Sequence, residues 1–165
     1  MSISREDVLI KRACRVLLRD NRYTEPRSRA LIRWLGSNWA PTSDIAARTL
    51  VKLGPKAFDD LLVDVLNGDR LPLPNAVWAL ELFSDQHDRL LPHVRKWLTK
   101  SKGELQMQSA VTIAHILTKR LKNRQKIDTA DVELFRSVLT PKAISSAAIR
   151  VHLRDFERAT REAEG

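Results

Sequence analysis

Cysteine, glycine and long apolar runs are scarce in this sequence, and each shortage excludes a class of protein. The single cysteine, Cys14, cannot form an internal disulfide, so a small disulfide-stapled fold is excluded. No apolar run approaches the roughly 18 residues of a membrane span, so we expect no transmembrane helix. Five glycines and seven prolines mostly lie between apolar stretches, a pattern typical of a helical protein.

Targeting signals are also missing from the residues at the start of the chain. The segment MSISREDVLIKR has no apolar core of the kind that a secretory signal peptide carries. We therefore expect a cytoplasmic protein. Hydrophobic residues make up 43% of the 165 residues and charged residues 30%, which is enough apolar material for a packed core. This length and composition predict a single domain over residues 1–165.

Motifs that carry chemistry are absent as well. The sequence contains neither of the glycine-rich phosphate-binding loops and no H-E-x-x-H motif, and its four histidines do not pair at helical spacing. Asp60 and Asp64 share a helix face, but a solvated acidic face explains them better than an acid pair. His115, within TIAHIL, is expected to pack between helices. We predict no enzyme, no catalytic residue, no metal site and no cofactor.

Helical periodicity is the dominant pattern of the sequence. It predicts nine helices, of which the first spans about residues 5–20 and a long one about 104–121. Thr42 or Ser43 is the expected N-cap of the third helix. The sixth is expected to begin at Asp88, which would place Pro92 in its first turn. The eighth, 128–139, is expected to be capped by Asp128 or Thr129, and no stretch alternates like a strand.

Two apolar patterns alternate along the chain at intervals near 30 residues. A small residue followed by two apolar residues at i+4 and i+7 recurs from Ala46 at steps of 30 and 34 residues, and a further step of 34 repeats the pattern with Ile144 in the place of the small residue. A second pattern, two large apolar residues followed by a third, recurs from Leu31 at steps of 30, 29 and 44 residues. Helix pairs that cannot bury their apolar stripes alone share a core when they stack.

The stretch IAARTLVKLGPKAFDDLLVDVL, the clearest instance of both patterns, resembles the HEAT/armadillo class of α-helical repeats. The resemblance extends over about residues 42–140. It implies an all-α fold: a short right-handed α-solenoid of about four helix pairs with a C-terminal capping helix. The alternative is an irregular helical bundle. The predicted pairs are about 5–37, 42–68, 74–101 and 104–140, and the predicted cap is 141–162.

Positive charge exceeds negative charge and is concentrated in two patches. The net charge is +9, and residues 95–126 alone hold nine basic residues and one acidic residue. Basic patch one follows a helical stripe and consists of Arg12, Arg15, Arg19 and Arg22. Basic patch two is predicted to bind a partner or phosphates through Arg95, Lys96, Lys100, Lys119, Arg120, Lys122, Arg124 and Lys126.

These patches and the resemblance together predict a binding function. HEAT-type repeats mostly act as scaffolds, so the resemblance implies a non-enzymatic module that docks an acidic protein surface through its basic patches. Trp39, in the loop GSNWAP, is a candidate interface anchor. The alternative is a sequence-nonspecific nucleic-acid binder that contacts the phosphate backbone. Regularly spaced aromatic residues for base stacking are missing, and nothing in the sequence indicates an oligomeric state.

Overall fold

A computed structural model describes residues 8, 12, 15, 22–38, 40–68, 71–139 and 147–164 of the chain. Within these ranges there are helices and no strand, so the predicted all-α class is confirmed for them. Residues 8, 12 and 15 are helical, and the rest of the predicted helix 5–20 lies outside the described residues. The continuous helices are α1 (Glu25–Trp34), α2 (Ala40–Leu53), α3 (Pro55–Asn67), α4 (Pro74–Glu81), α5 (His87–Lys100), α6 (Gly103–Lys122), α7 (Thr129–Ser137) and α8 (Ala147–Glu164).

Proline and glycine set several of these boundaries. Pro55 and Pro74 open α3 and α4, where a residue without an N–H loses no helical hydrogen bond. Gly54 alone separates α2 from α3, and its φ of 87° is a conformation that side chains with a Cβ rarely adopt. Asp128 caps α7 as predicted, since its side chain accepts a hydrogen bond from the Ala130 N–H at 3.0 Å.

Two predicted helix starts are wrong. Helix α2 begins at Ala40, so Thr42 and Ser43 lie inside it instead of capping it. The Ser43 hydroxyl donates to the Ala40 carbonyl at 3.0 Å, which shows how a residue typical of caps is tolerated within a helix. Helix α5 begins at His87, so Pro92 lies beyond the first turn and leaves the Asp88 carbonyl without its intrahelical donor.

The chain divides into two compact units, residues 1–86 and 87–165. In the first unit, α1 packs on α2 and α3, and α4 also packs on α2 and α3. Phe58 and Phe83 meet edge to face in its core, with ring centroids 5.4 Å apart. The Asn75 side chain donates to the Leu35 carbonyl at 3.2 Å and so ties the start of α4 to the end of α1.

The second unit is organised around α6. This helix of 20 residues contacts α5, α7 and α8, and its buried residues include Ile113, Ile116 and Leu117. Helices α7 and α8 each contribute an aromatic ring, and Phe135 and Phe156 pack edge to face at 5.8 Å. The fully buried face of α6 therefore provides the surface on which the other three helices are placed.

The periodic apolar patterns coincide with buried positions in both units. All members of the triplets that begin at Ala46, Ala76 and Ala110 are buried, and so are those of Leu61 and Leu90. The predicted pair 74–101 spans the division between the units, because α4 belongs to the first and α5 to the second. The single-domain and solenoid arrangements stay predictions. Across the described ranges, no helix is both long enough and apolar enough to cross a membrane.

Candidate functional site

Basic patch one is only partly within the described residues. Arg12 and Arg15 are helical and exposed, and Arg22 is exposed in the segment before α1. Arg19 lies outside the described residues, as does Trp39, the candidate interface anchor. Whether the four arginines form one stripe and whether the tryptophan is exposed therefore stay predictions.

Basic patch two is distributed over both ends of α6. Lys100 is the last residue of α5 and precedes α6 by a short link, whereas Lys119, Arg120 and Lys122 lie in the last turn of α6. A helix of 20 residues is about 30 Å long, so these two groups are separated by nearly that distance. Lys96 and Lys100 are exposed on α5. One compact binding site cannot use all the predicted cations.

Arg95 is engaged in an ion pair inside the second unit. Its guanidinium donates two hydrogen bonds to Asp131, at 2.5 and 2.6 Å, and lies 3.6 Å from Asp128. The Asp131 side chain is only 1% exposed, and the hydrogen bonding that Arg95 donates to this carboxylate raises the pKa of Arg95 above its usual value. The pair joins α5 to α7. Its partners are 36 residues apart, and no local sequence pattern indicates a contact of that kind.

Arg120 is similarly engaged, with Asp88 at 2.5 Å. Both residues line a cavity of about 600 Å³, the first cavity, between α5, the end of α6 and the start of α7. Its lining residues are Asp88, Leu91, Pro92, Arg95, Arg120, Lys126, Ile127, Asp128 and Thr129. Three cations there face two carboxylates, and buried Asp131 supplies a third negative charge to Arg95. This balance makes the first cavity a poor site for a phosphate.

The turn after α6 presents the remaining cations. The Arg124 N–H bonds to the Leu121 carbonyl at 2.9 Å, and the Gln125 N–H bonds to the Arg120 carbonyl at 2.8 Å. This pair of hydrogen bonds defines a Schellman motif, in which the residue in the left-handed conformation is usually glycine. Here that residue is Arg124, with φ of 55°. The chain therefore holds an arginine at a position where its backbone is strained.

A second cavity, of about 720 Å³, lies on the other side of this turn, against α8. Its lining residues are Leu121, Lys122, Arg124, Gln125, Lys126, Ala159, Glu162 and Ala163. Lys122, Arg124 and Lys126 are exposed, and within the described ranges their side chains have no hydrogen-bond or ion-pair partner. The cavity thus combines an apolar floor with three cations and one carboxylate. No local pattern in the sequence predicts this floor, because Ala159 and Ala163 come from a distant helix.

Three histidines of the second unit lie near one another, but they form no metal site in the described residues. The rings of His87 and His115 are 6.1 Å apart and those of His115 and His152 are 6.4 Å apart, on three helices of the second unit. No group of three histidine, cysteine, aspartate or glutamate side chains in the described part of the chain is arranged to hold a metal ion. Asp60, one of the three carboxylates on α3, accepts a hydrogen bond from the Tyr23 hydroxyl at 2.8 Å.

No family model matches the chain, and no curated protein and no solved structure matches it either.

Proposed function

We propose that the chain is a non-enzymatic binding module that docks an acidic segment of a partner protein in the second cavity. The observation that carries this proposal is the set of three exposed, unpaired cations, Lys122, Arg124 and Lys126, around one apolar floor. Other cations of basic patch two are less suited, because Arg95 and Arg120 already bind carboxylates of their own unit. An acidic ligand would have to displace buried Asp131 before it could use Arg95, and it would have to compete with exposed Asp88 for Arg120.

The composition of the second cavity favours a peptide over a nucleic-acid backbone. Leu121, Ala159 and Ala163 offer apolar contacts that a phosphodiester chain cannot use. Glu162 at the same cavity would repel a closely spaced run of phosphates, whereas a peptide can place a neutral or basic residue opposite it. An amphipathic acidic segment satisfies both features, with its apolar side on the floor and its carboxylates toward the three cations.

The test measures binding of a fluorescent amphipathic peptide of about 15 residues, three to four helical turns, with an alanine and leucine face flanked by glutamates. Replacing Lys122, Arg124 and Lys126 together by glutamine should weaken binding by about tenfold or more, since each lost charge contact at a partly dehydrated surface contributes on the order of 0.5 kcal/mol. A fluorescence anisotropy titration gives the dissociation constants.

The matched control removes three exposed cations of the same unit that line neither cavity, Arg136, Arg150 and Arg154. It changes the net charge equally and should leave the dissociation constant within about twofold if the effect is local. Equal losses in both triple variants would contradict the proposal. A duplex DNA probe that binds more tightly than the peptide, with a steep fall of log affinity against log salt, would favour the nucleic-acid alternative instead.

A further inference from the structure

The first unit has a groove of its own, between α1 and α3, with a volume of about 610 Å³. The residues from α1 include Arg29 and Arg33, and those from α3 include Asp60 and Asp64. One wall of the groove is therefore cationic and the other anionic. We call this feature the α1–α3 groove.

Of these four charged side chains, two have partners within the described part of the first unit and two do not. Arg29 pairs with Glu25 on its own helix, and Asp60 accepts a hydrogen bond from Tyr23. The side chains of Arg33 and Asp64 are exposed and make no hydrogen bond or ion pair within the described ranges. Opposite charges thus line the same groove without joining each other across it, and both are available to a ligand.

One large apolar side chain is exposed in the groove itself, and another follows it on α3. Six large apolar side chains are exposed in the described residues, and four of them lie between residues 63 and 73. Val63 lines the groove and is 54% exposed, and Leu66, one turn further along α3, is 43% exposed. Apolar residues bordered by charged ones are the usual composition of a protein–protein interface.

We infer that two copies of the chain associate through their α1–α3 grooves about a two-fold axis. In such a contact residue i of one copy meets residue j of the other, and residue j meets residue i. A surface with a cationic wall and an anionic wall is complementary to itself under that operation, with Arg33 of each copy facing Asp64 of the other. An unrelated partner would need both signs of charge in the matching order, which a second copy has by construction. This association does not depend on the function proposed for the second unit.

Charge reversal tests this inference on the full chain. Sedimentation equilibrium over a concentration series should show a mass rising from 18.9 kDa toward twice that value. Arg33→Glu and Asp64→Arg should each weaken association by about tenfold or more, because each places like charges opposite one another twice in the symmetric contact. The reversed pair in one chain should restore it.

Mixing the two single variants gives the most specific result. Arg33→Glu carries two negative charges at these positions, and Asp64→Arg carries two positive charges. Two copies of the same variant therefore repel each other, whereas a copy of one variant attracts a copy of the other. The equimolar mixture should form a heterodimer, visible as a mass increase that neither variant shows alone. Arg48→Glu and Asp44→Arg, at an exposed pair on α2 outside the groove, are the charge-matched controls and should associate like the unaltered chain. A chain that stays monomeric at every concentration, or an association insensitive to both reversals, would overturn the inference.

Discussion

Asp131 is the most buried carboxylate that the described residues place in an ion pair, and its partner is much less buried. The Asp131 side chain is 1% exposed and that of Arg95 39% exposed. Removing the arginine leaves a charge in the interior, whereas removing the carboxylate leaves a cation that water can still reach. The two halves of one ion pair therefore have different effects on stability.

We expect Arg95→Met to lower the free energy of unfolding by about 3 kcal/mol, and Asp131→Asn by about half as much. Urea denaturation followed by circular dichroism measures both. Arg158→Met is the control, because its pair with Asp155 is exposed on both sides and should change stability by less than about 1 kcal/mol. Equal effects of the two substitutions at the Arg95–Asp131 pair would contradict the asymmetry.

His93 is expected to make the folded state less stable as the pH falls. Desolvation by burial, and to a lesser degree repulsion from Lys96, lower the pKa of His93 below its usual value. The unfolded chain then binds the proton more readily than the folded chain. Stability is thus fully present above the ordinary histidine pKa of about 6.5 and is lost as the pH falls from there toward the lowered value.

The check is a series of thermal or urea unfolding measurements between pH 7.5 and 5. His93→Gln should show a smaller loss of stability over this range than the unaltered chain, since it has no proton to take up. Lys96→Met should fall between the two, because it removes only the smaller cause of the pKa shift. A steeper loss in His93→Gln would show that the sign is wrong.

At the level of elements, the turn that ends α6 has a backbone conformation that suits glycine but is occupied by a residue with a large side chain. Its Schellman turn is satisfied by two backbone hydrogen bonds, yet the left-handed position is occupied by Arg124 instead of glycine. Strain of this kind is common at functional positions, and Arg124 is one of the three cations at the binding site that we propose for the second cavity.

Arg124→Gly should therefore raise the free energy of unfolding by about 1 kcal/mol while it weakens binding of the acidic peptide. Arg124→Ala separates the two effects, since it removes the charge and keeps the strained Cβ. It should weaken binding equally and leave stability nearly unchanged. Urea denaturation and peptide anisotropy on the same samples provide the comparison, and a glycine variant less stable than the alanine variant would contradict the strain.

Helix boundaries could be predicted from the sequence where a residue sets them through its own local chemistry. Asp128 acts through its own side chain two residues along, so the cap of α7 was predicted correctly as one of two candidates, and Gly54 and Pro55 set their helix boundaries through equally local chemistry. Ser43 and Pro92 were placed wrongly, because cap and first-turn preferences are weak beside the packing of a whole helix.

At the scale of the whole molecule, counting charges located basic patch two but not which cations remain available. The pairing of Arg95 with Asp131 and of Arg120 with Asp88 joins residues 36 and 32 positions apart. Such contacts follow from the packing of α5, α6 and α7, which a net charge of +9 does not encode. The exposed cations at the second cavity and the two-sided charge of the α1–α3 groove became visible only when the helices were placed.

The segment 123–128 is secured at both ends, and this has a consequence for recognition. One end is held by the backbone hydrogen bonds that close α6, and the other by the Asp128 cap and the Arg95–Asp131 pair. Arg124 and Lys126 thus lie on a short segment whose backbone would lose little conformational entropy when a ligand binds. Preorganisation of this kind lowers the entropic cost of complex formation, so even a modest number of contacts can yield a measurable affinity.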